Sequence, residues 1–336
     1  TANQKRCRKK SEQGTLVSMM DAGARRHLRP TDFRHPTQTP RNPMRLLIAV
    51  ASLLCISGCT SFSHNASRME SQILETSPLQ KIVIGTFNGS IKVESHAESS
   101  VAFEAHYKAY ASTEEGAEEN CQQMVSDIAA NDGVLTIQAV KPAGSWSSST
   151  SYVLKVPPTV SLELRTSNGR VEVGQVAGNV AIKTSNGRVE VKEIEGDVTV
   201  DTSNGRIVAE NILGTVDLET SNGSVSLSGM LAGADNQVRT SNGSIKLGLL
   251  PESALTVAAQ TSNGSLRCNL ASDEFRATGS KRKKTFVVGD GNTDTFLKLR
   301  TSNGSVTIAT VDPAEASEVM PSEIDSSDFN NTEIAL

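Results

Sequence analysis

The chain has 336 residues, room for one large or two ordinary domains, with 37% hydrophobic and 21% charged residues and a formal net charge of −4. This balance excludes a wholly disordered chain and lacks the basic excess of a nucleic-acid-binding domain. Aromatics make up 4%, while Gly, Ser, Thr, Asn and Val recur, which favours stacked strands and tight turns over a helical core.

Residues 1–43 carry the clusters Lys5-Arg6 and Arg25-Arg26 and no apolar periodicity. They read as an upstream extension absent from the mature protein, or as a long basic leader. From Met44-Arg45 an apolar run covers 46–56, too short to span a bilayer as a helix but the length of a signal-peptide core. It ends in Ile56-Ser57-Gly58-Cys59, which resembles the lipobox of bacterial lipoproteins. The resemblance implies a signal peptide over 44–58, diacylation of Cys59 and a membrane held through that lipid. Thr60, not Asp, follows Cys59, which by the sorting pattern of such lipoproteins implies a cell-envelope location at the outer membrane or in the periplasm. Residues 59–78 read as a linker.

Segment 79–165 reads as a small N-terminal cap that shields the open edge of a repetitive region beginning at 166. It contains Thr86-Phe87-Asn88-Gly89-Ser90 followed by Ile91 and Val93, then a predicted helix over 113–130 with Ala117, Cys121, Met124 and Ile128 on one face. A strand around Val134 to Ile137, a Ser-rich loop around Trp146 and a strand over 152–156 complete it.

From 166 to 310 the sequence is periodic. Thr-Ser-Asn-Gly begins at Thr166, Thr184, Thr202, Thr220, Thr240, Thr261 and Thr301, at spacings of 18, 18, 18, 20, 21 and 40, the last read as two rungs with one degenerate copy. Within the period, glycines recur nine apart at Gly169 and Gly178, Gly187 and Gly196, Gly205 and Gly214. Each opens an alternating strand such as Val171 with Val173 or Val180 with Ile182, which places the apolar side chains on one face. The reading is all-β: a parallel β-solenoid with rungs of about 18–20 residues, two half-coils per rung, and Val171, Val173, Val176, Val180 and Ile182 facing inward in the first. Burying five such side chains does not offset the entropy of ordering a whole rung, so stacking must supply the remainder. About nine rungs make a rod on the order of 40 Å long, expected to be right-handed.

The repeated Asn-Gly corners predict positive φ, which Asn tolerates and Gly prefers. Stacked, they align Asn168, Asn186, Asn204, Asn222, Asn242, Asn263 and Asn303 into a structural ladder. Segment 272–300, with the run Lys281, Arg282, Lys283, Lys284 and the turn Gly289-Asp290-Gly291, reads as an insertion before the last rung. The acidic, Ser-rich tail over 311–336 reads as disordered. Cys268 falls at an inward position, so a disulfide with Cys121 is not expected.

The order of these features is a lipoprotein-type signal, a Phe-Asn-Gly-Ser strand, a short helix, a strand ending Val156-Pro157-Pro158, Thr-Ser-Asn-Gly coils, a Gly-Asp-Gly turn and a final rung from Thr301 to Ile308. Over about residues 79–310 it resembles the bacterial family named for "putative adhesins", a domain of unknown function with a β-solenoid fold. The resemblance implies an envelope location, and some members accompany envelope-stress regulation.

Other chemistries fit less well. A hexapeptide acyltransferase coil needs an aliphatic residue every six positions, but stepping from Val173 gives Asn179 and Ser185. Calcium-binding nonapeptide coils need Asp at the turn, and the turns here offer Asn and Ser. For a carbohydrate-active enzyme the best candidate is an outward patch, Asp197, Asp201, Asp217 and Glu219, with Lys183 and Arg239 beside it, because paired carboxylates can act as acid and base. A solvated, charge-balanced solenoid face accounts for the same residues. The basic run at 281–284 could contact anionic glycans or lipid headgroups, or be a solvated loop. His64, His96 and His106 lack metal-ligand spacing.

The expectation is therefore a non-enzymatic envelope lipoprotein, an adhesive or interaction module that needs no cofactor or metal. Its partner is a glycan or an envelope protein, not nucleic acid, met through outward rows such as Arg170, Glu172, Arg188 and Glu190. The alternatives are a carbohydrate-active β-helix enzyme and an envelope-stress sensor.

Overall fold

The computed structural model describes residues 64–75, 78–141, 147–270, 275–289 and 294–311, all within one compact unit, Leu46–Leu336. The extension, the signal peptide, Cys59, Trp146, Asp290, Gly291 and residues 312–336 lie outside the described residues.

The N-terminal part runs β1 (His64–Leu74), β2 (Lys81–Gly85), β3 (Ile91–Ser95), β4 (Val101–Ala111), α1 (Glu114–Gln123), β5 (Val125–Asn131), β6 (Val134–Val140), β7 (Ser148–Val156) and β8 (Ser161–Arg165). The repeats follow as β9 (Val171–Val176), β10 (Val180–Thr184), β11 (Val189–Glu195), β12 (Val198–Thr202), β13 (Ile207–Gly214), β14 (Val216–Thr220), β15 (Val225–Leu231), β16 (Asn236–Thr240) and β17 (Ile245–Leu249). The C-terminal part is β18 (Leu255–Thr261), β19 (Leu266–Asn269), β20 (Phe275–Gly279), β21 (Lys283–Val288), β22 (Phe296–Thr301) and β23 (Val306–Thr310).

These strands form an 11-stranded and a 12-stranded sheet, parallel through the repeats. Each rung gives one strand to each sheet, and alternation sends Val171, Val173, Val180 and Ile182 into the shared core at 0–3% exposure. The two-sheet solenoid expected from the repeat is the fold. The longer sheet extends about 50 Å at the usual strand spacing.

The stacking order is not the chain order. β2 lies between β6 and β8, parallel to both, and β3 lies between β7 and β9. The first rung in sequence is thus an interior rung, and the coil begins upstream of 166. At the other end, β22 lies between β16 and β18, and β23 between β17 and β19. The gap of 40 residues therefore does not hold two successive rungs. Its middle is the antiparallel hairpin β20–β21, whose β21 covers the outer edge of β18. The first and last rungs in sequence thus both lie inside the stack. Of the four sheet edges, β1, β5 and β20 are antiparallel strands, which interrupt the template for end-to-end association, and β19 is parallel to its neighbour β23.

Three further expectations are corrected. Residues 64–74, read as linker, form β1, which pairs antiparallel with β4 along its whole length. The helix stops at Gln123: Thr113 caps its start by accepting from the Gly116 N–H, and the chain turns at Met124 into β5. Ile128 is a strand residue paired with Ile137, while Ala117 and Cys121 fill the buried helix face. The β5–β6 turn uses Asp132 and Gly133 at φ 50° and 78°, the twist a two-residue hairpin needs.

Corner geometry also departs from expectation. None of the ladder asparagines or the glycines beside them has positive φ. Glycine is required there by proximity: a Cβ on Gly187, Gly205, Gly223 or Gly243 would stand 1.7–1.9 Å from the carbonyl oxygen of the glycine one rung below. The left-handed residues are Gln175, Glu193 and Asn211, at φ 54–60° and 18 residues apart. Each is an extra residue that breaks strict alternation, so that Val176, Ile194 and Ile212 turn inward after Val173, Val191 and Ala209. β15 lacks the extra residue; Gly229 takes the inward place and Met230 is left 42% exposed beside Leu213 at 50%.

Candidate functional site

The Asn ladder forms as a continuous chain of side-chain hydrogen bonds of 2.6–2.8 Å. Each amide donates to the Oδ1 of its neighbour, in the order Asn88, Asn168, Asn186, Asn204, Asn222, Asn242, Asn303, Asn263. Asn88 of the degenerate copy joins it, and Asn303 sits inside Asn263 because of the intercalated last rung. Beneath it runs a row the sequence reading missed. The repeat threonines are buried, and Thr166, Thr220, Thr240, Thr261 and Thr301 each donate a hydroxyl to the carbonyl of a neighbouring corner glycine at 2.8–3.1 Å. Thr-Ser-Asn-Gly thus encodes an inward hydroxyl, an outward amide and a glycine for close stacking.

The acidic patch divides. Asp201 and Glu219 are register neighbours on β12 and β14 and point outward, with Lys183 Nζ 3.3 Å from Asp201 Oδ2. Asp217 accepts from Gln237 Nε2 at 2.8 Å. Asp197 is at a corner: its Oδ1 accepts from the Thr215 hydroxyl at 2.6 Å, and its backbone N–H donates to Asn179 Oδ1 at 3.0 Å. It belongs to a second corner ladder and not with the other three. Asp201 and Glu219 stand exposed on an open strand face. Among the described residues no group of three or more His, Cys, Asp or Glu side chains is placed to hold a metal ion.

On the other sheet the outward row forms an ion-pair network. Arg170 contacts Glu172 at 2.6 Å and Glu190 at 2.7 Å, Arg188 also pairs with Glu190, and Lys192 pairs with Glu210 at 3.0 Å. The bond to Glu190 holds the Arg170 guanidinium above its ordinary range. Lys81 pairs with Glu163 at 2.6 Å, and Arg165 pairs with the same carboxylate. These contacts hold that carboxyl below its usual range, with the Lys81 bond the largest cause. The pairs of Lys81 with Glu163, Arg170 with Glu190, Lys183 with Asp201 and Lys192 with Glu210 cross rungs, and the other pairs among the described residues join residues two apart in sequence.

A buried polar cluster sits in the N-terminal part. Ser126 Oγ lies 2.7 Å from Tyr107 Oη and 3.0 Å from Tyr152 Oη. Arg68 lies over the Tyr107 ring at 4.3 Å and donates to the Met124 carbonyl at 2.5 Å. Burial pushes both tyrosines up, so they remain neutral hydrogen-bonding groups. Arg68 ties β1 to the end of α1, a tertiary pairing for which a single sequence gives no signal.

Cys121 and Cys268 are both free thiols. Cys121 is 3% exposed, and burial raises its pKa against the pull of Arg68; Cys268 is half-buried opposite Ile308. Because the thiolate is the reactive form, iodoacetamide at neutral pH should modify Cys268 well before Cys121, as read by peptide mass. Equal rates would contradict the packing of α1 over β4.

A family model described as Toastrack DUF4097 matches residues 56–309. Among solved structures, the chain is similar to a "putative cell adhesion protein" from Clostridium sporogenes, with 12% identity over 73% of this chain and 100% of that one and a TM-score of 0.34. It is also similar to a "putative adhesin" from Bacteroides fragilis, with 12% identity, 72% and 97% coverage and a TM-score of 0.26. A "putative lipid binding protein" from Parabacteroides distasonis shows 13% identity, 72% and 96% coverage and a TM-score of 0.26. No curated protein matches.

Proposed function

Because the chain belongs to the Toastrack DUF4097 family, we infer that it is a lipid-anchored module of the bacterial cell envelope that presents its outer strand faces to a binding partner and carries out no catalysis. One observation carries the reading: the polar groups that stack regularly along the coil are spent on rigidity inside it or displayed on its open faces. The Asn ladder and the hydroxyls of Thr166, Thr220, Thr240, Thr261 and Thr301 tie rungs together, while the charged rows stand outward. Such a surface suits repeated contacts of the adhesive kind more than a reaction centre that must exclude water.

The anchor reading rests on Ile56-Ser57-Gly58-Cys59, which ends five residues before β1 begins at His64. A short tether of this kind would hold the coil near the lipid surface. Expression from Met44 in a bacterium, followed by mass analysis of the mature N-terminal peptide, should find a diacylated Cys59 and no such species in Cys59→Ala. An unprocessed N-terminus in both would remove the envelope placement.

A further inference from the structure

Charge along the coil is strongly polarised. Residues 64–235 carry 12 Lys and Arg against 22 Asp and Glu, whereas residues 236–311 carry ten Lys and Arg against five Asp and Glu. Intercalation of the last rung concentrates the excess on one face. Registered pairs along the 12-stranded sheet trace a single outward row: Arg165, Lys183, Asp201, Glu219, Arg239, Arg300, Gln260, Lys283. Lys298 lies two residues from Arg300 on the same face of β22, and Arg276 is on β20 opposite outward-facing Val287.

The two ends of this row are built differently. Lys183 meets Asp201, and Arg165 meets Glu163. Arg239 stands between Glu219 on one side and Arg300 on the other, and the like-charge pair Arg239 and Arg300 is directly opposite on hydrogen-bonded strands, an arrangement that costs stability. Among the described residues none of Arg239, Arg276, Lys283, Lys298 and Arg300 forms an ion pair, while other Lys and Arg residues form nine. All five are exposed. They occupy a band four strand steps long, about 19 Å, and a few residues wide. Half-exposed Phe296 lies within it, under Lys298 Nζ at 5.6 Å, an apolar ring of the kind that packs against a sugar face.

We propose that this band on β16, β22, β18, β21 and β20 binds a linear anionic polysaccharide, one chain lying along the row with its carboxylates on Arg239, Arg300 and Lys283. The width of the band selects the ligand. Asp217 and Glu219 lie on the next strand, so a broad polyanion such as duplex DNA, or the plane of an anionic membrane, would also face those carboxylates. A single sugar chain clears them. The proposal rests on the binding-module reading and supplies its ligand class.

The test uses purified full-length protein with polygalacturonate as the probe, dextran as its uncharged counterpart, and duplex DNA and phosphatidylglycerol vesicles as competing surfaces. Polygalacturonate should bind, more weakly as salt rises, and dextran should not. Arg239→Gln, Arg300→Gln and Lys283→Gln combined should weaken binding by about tenfold or more, from three exposed charge contacts. The same variant should unfold no earlier than wild type, because like charges have been separated. Lys183→Gln, at the paired end of the row, should bind as wild type does. Absence of polygalacturonate binding, an unaffected triple variant, an equal loss in Lys183→Gln, or tighter binding of DNA or vesicles would each overturn the proposal. Lipidation is read separately: lost binding with Cys59 diacylated removes this ligand alone, and retained binding without lipidation removes the envelope placement alone.

Discussion

Gly205→Ala is expected to destabilise the coil by about 3 kcal/mol or more, although it adds one methyl group at an ordinary φ. The new Cβ would stand 1.9 Å from the Gly187 carbonyl oxygen, and the Gly205 carbonyl is itself 1.8 Å from where a Cβ on Gly223 would be. Neither neighbour can give way without lifting its own rung off the next, so strain spreads along the corner column. The matched control is Gly174→Ala, where no atom lies within 4 Å of the added Cβ and φ is not left-handed. That change should be neutral or stabilising by up to about 0.5 kcal/mol, because it restricts the unfolded chain. Denaturant midpoints measure both, and similar shifts would contradict the close-stacking account of the corner.

Asn236→Asp is expected to cost about 3–5 kcal/mol at neutral pH. Asn236 is fully buried at an inward position that the earlier rungs give to valine. Its Oδ1 accepts from the Val216 N–H at 2.9 Å. Its Nδ2 donates to the carbonyls of Ala232, Gly233 and Phe296 at 2.8, 2.9 and 3.3 Å. A carboxylate would keep the first bond but turn a buried charge toward three acceptors. Such a carboxyl has a folded pKa above its unfolded one, so the penalty is fully present above the folded pKa and fades as pH falls toward the unfolded value. Thermal midpoints of variant and wild type should converge on acidification. A variant as stable as wild type at neutral pH, or one that loses further ground in acid, would contradict the assigned bonds.

These two residues show what the sequence carried and what it withheld. Period-two alternation identified Val171, Val173, Val180 and Ile182 as core, and the fixed spacing identified the ladder asparagines, because both are local signals repeated many times. The reason for the corner glycines was not legible: positive φ and close approach favour the same residue, and only the distance between rungs separates them. Val176 was expected inward and is buried; what was not legible is the left-handed Gln175 that turns it there. The rung order was hidden because Thr240, Thr261 and Thr301 carry the same tetrapeptide, and nothing in it says which neighbours which. Nothing local marks Asn236 as buried; its place follows from the carbonyls of Ala232 and Gly233 that its amide meets.

The candidate site was legible in the same mixed way. Asp201 and Glu219 are adjacent, as register alone predicts, but Asp197 was drawn into the patch by sequence proximity and belongs to the corner. The basic run at 281–284 was visible as a run. Its continuation through Lys298, Arg300 and Arg239 was not, because those residues join it only after the last rung returns between β16 and β18. The proposed binding surface emerges from topology more than from any motif.

The central claim, a rigid coil displayed from a lipid anchor at Cys59, is tested most directly by fractionating bacteria that express the chain from Met44 as wild type and as Cys59→Ala. The account predicts wild-type protein in the membrane fraction, released by limited proteolysis as one resistant fragment beginning near His64, and Cys59→Ala free of the membrane but equally resistant. Both forms soluble in the cytoplasm with the signal segment still attached would contradict it.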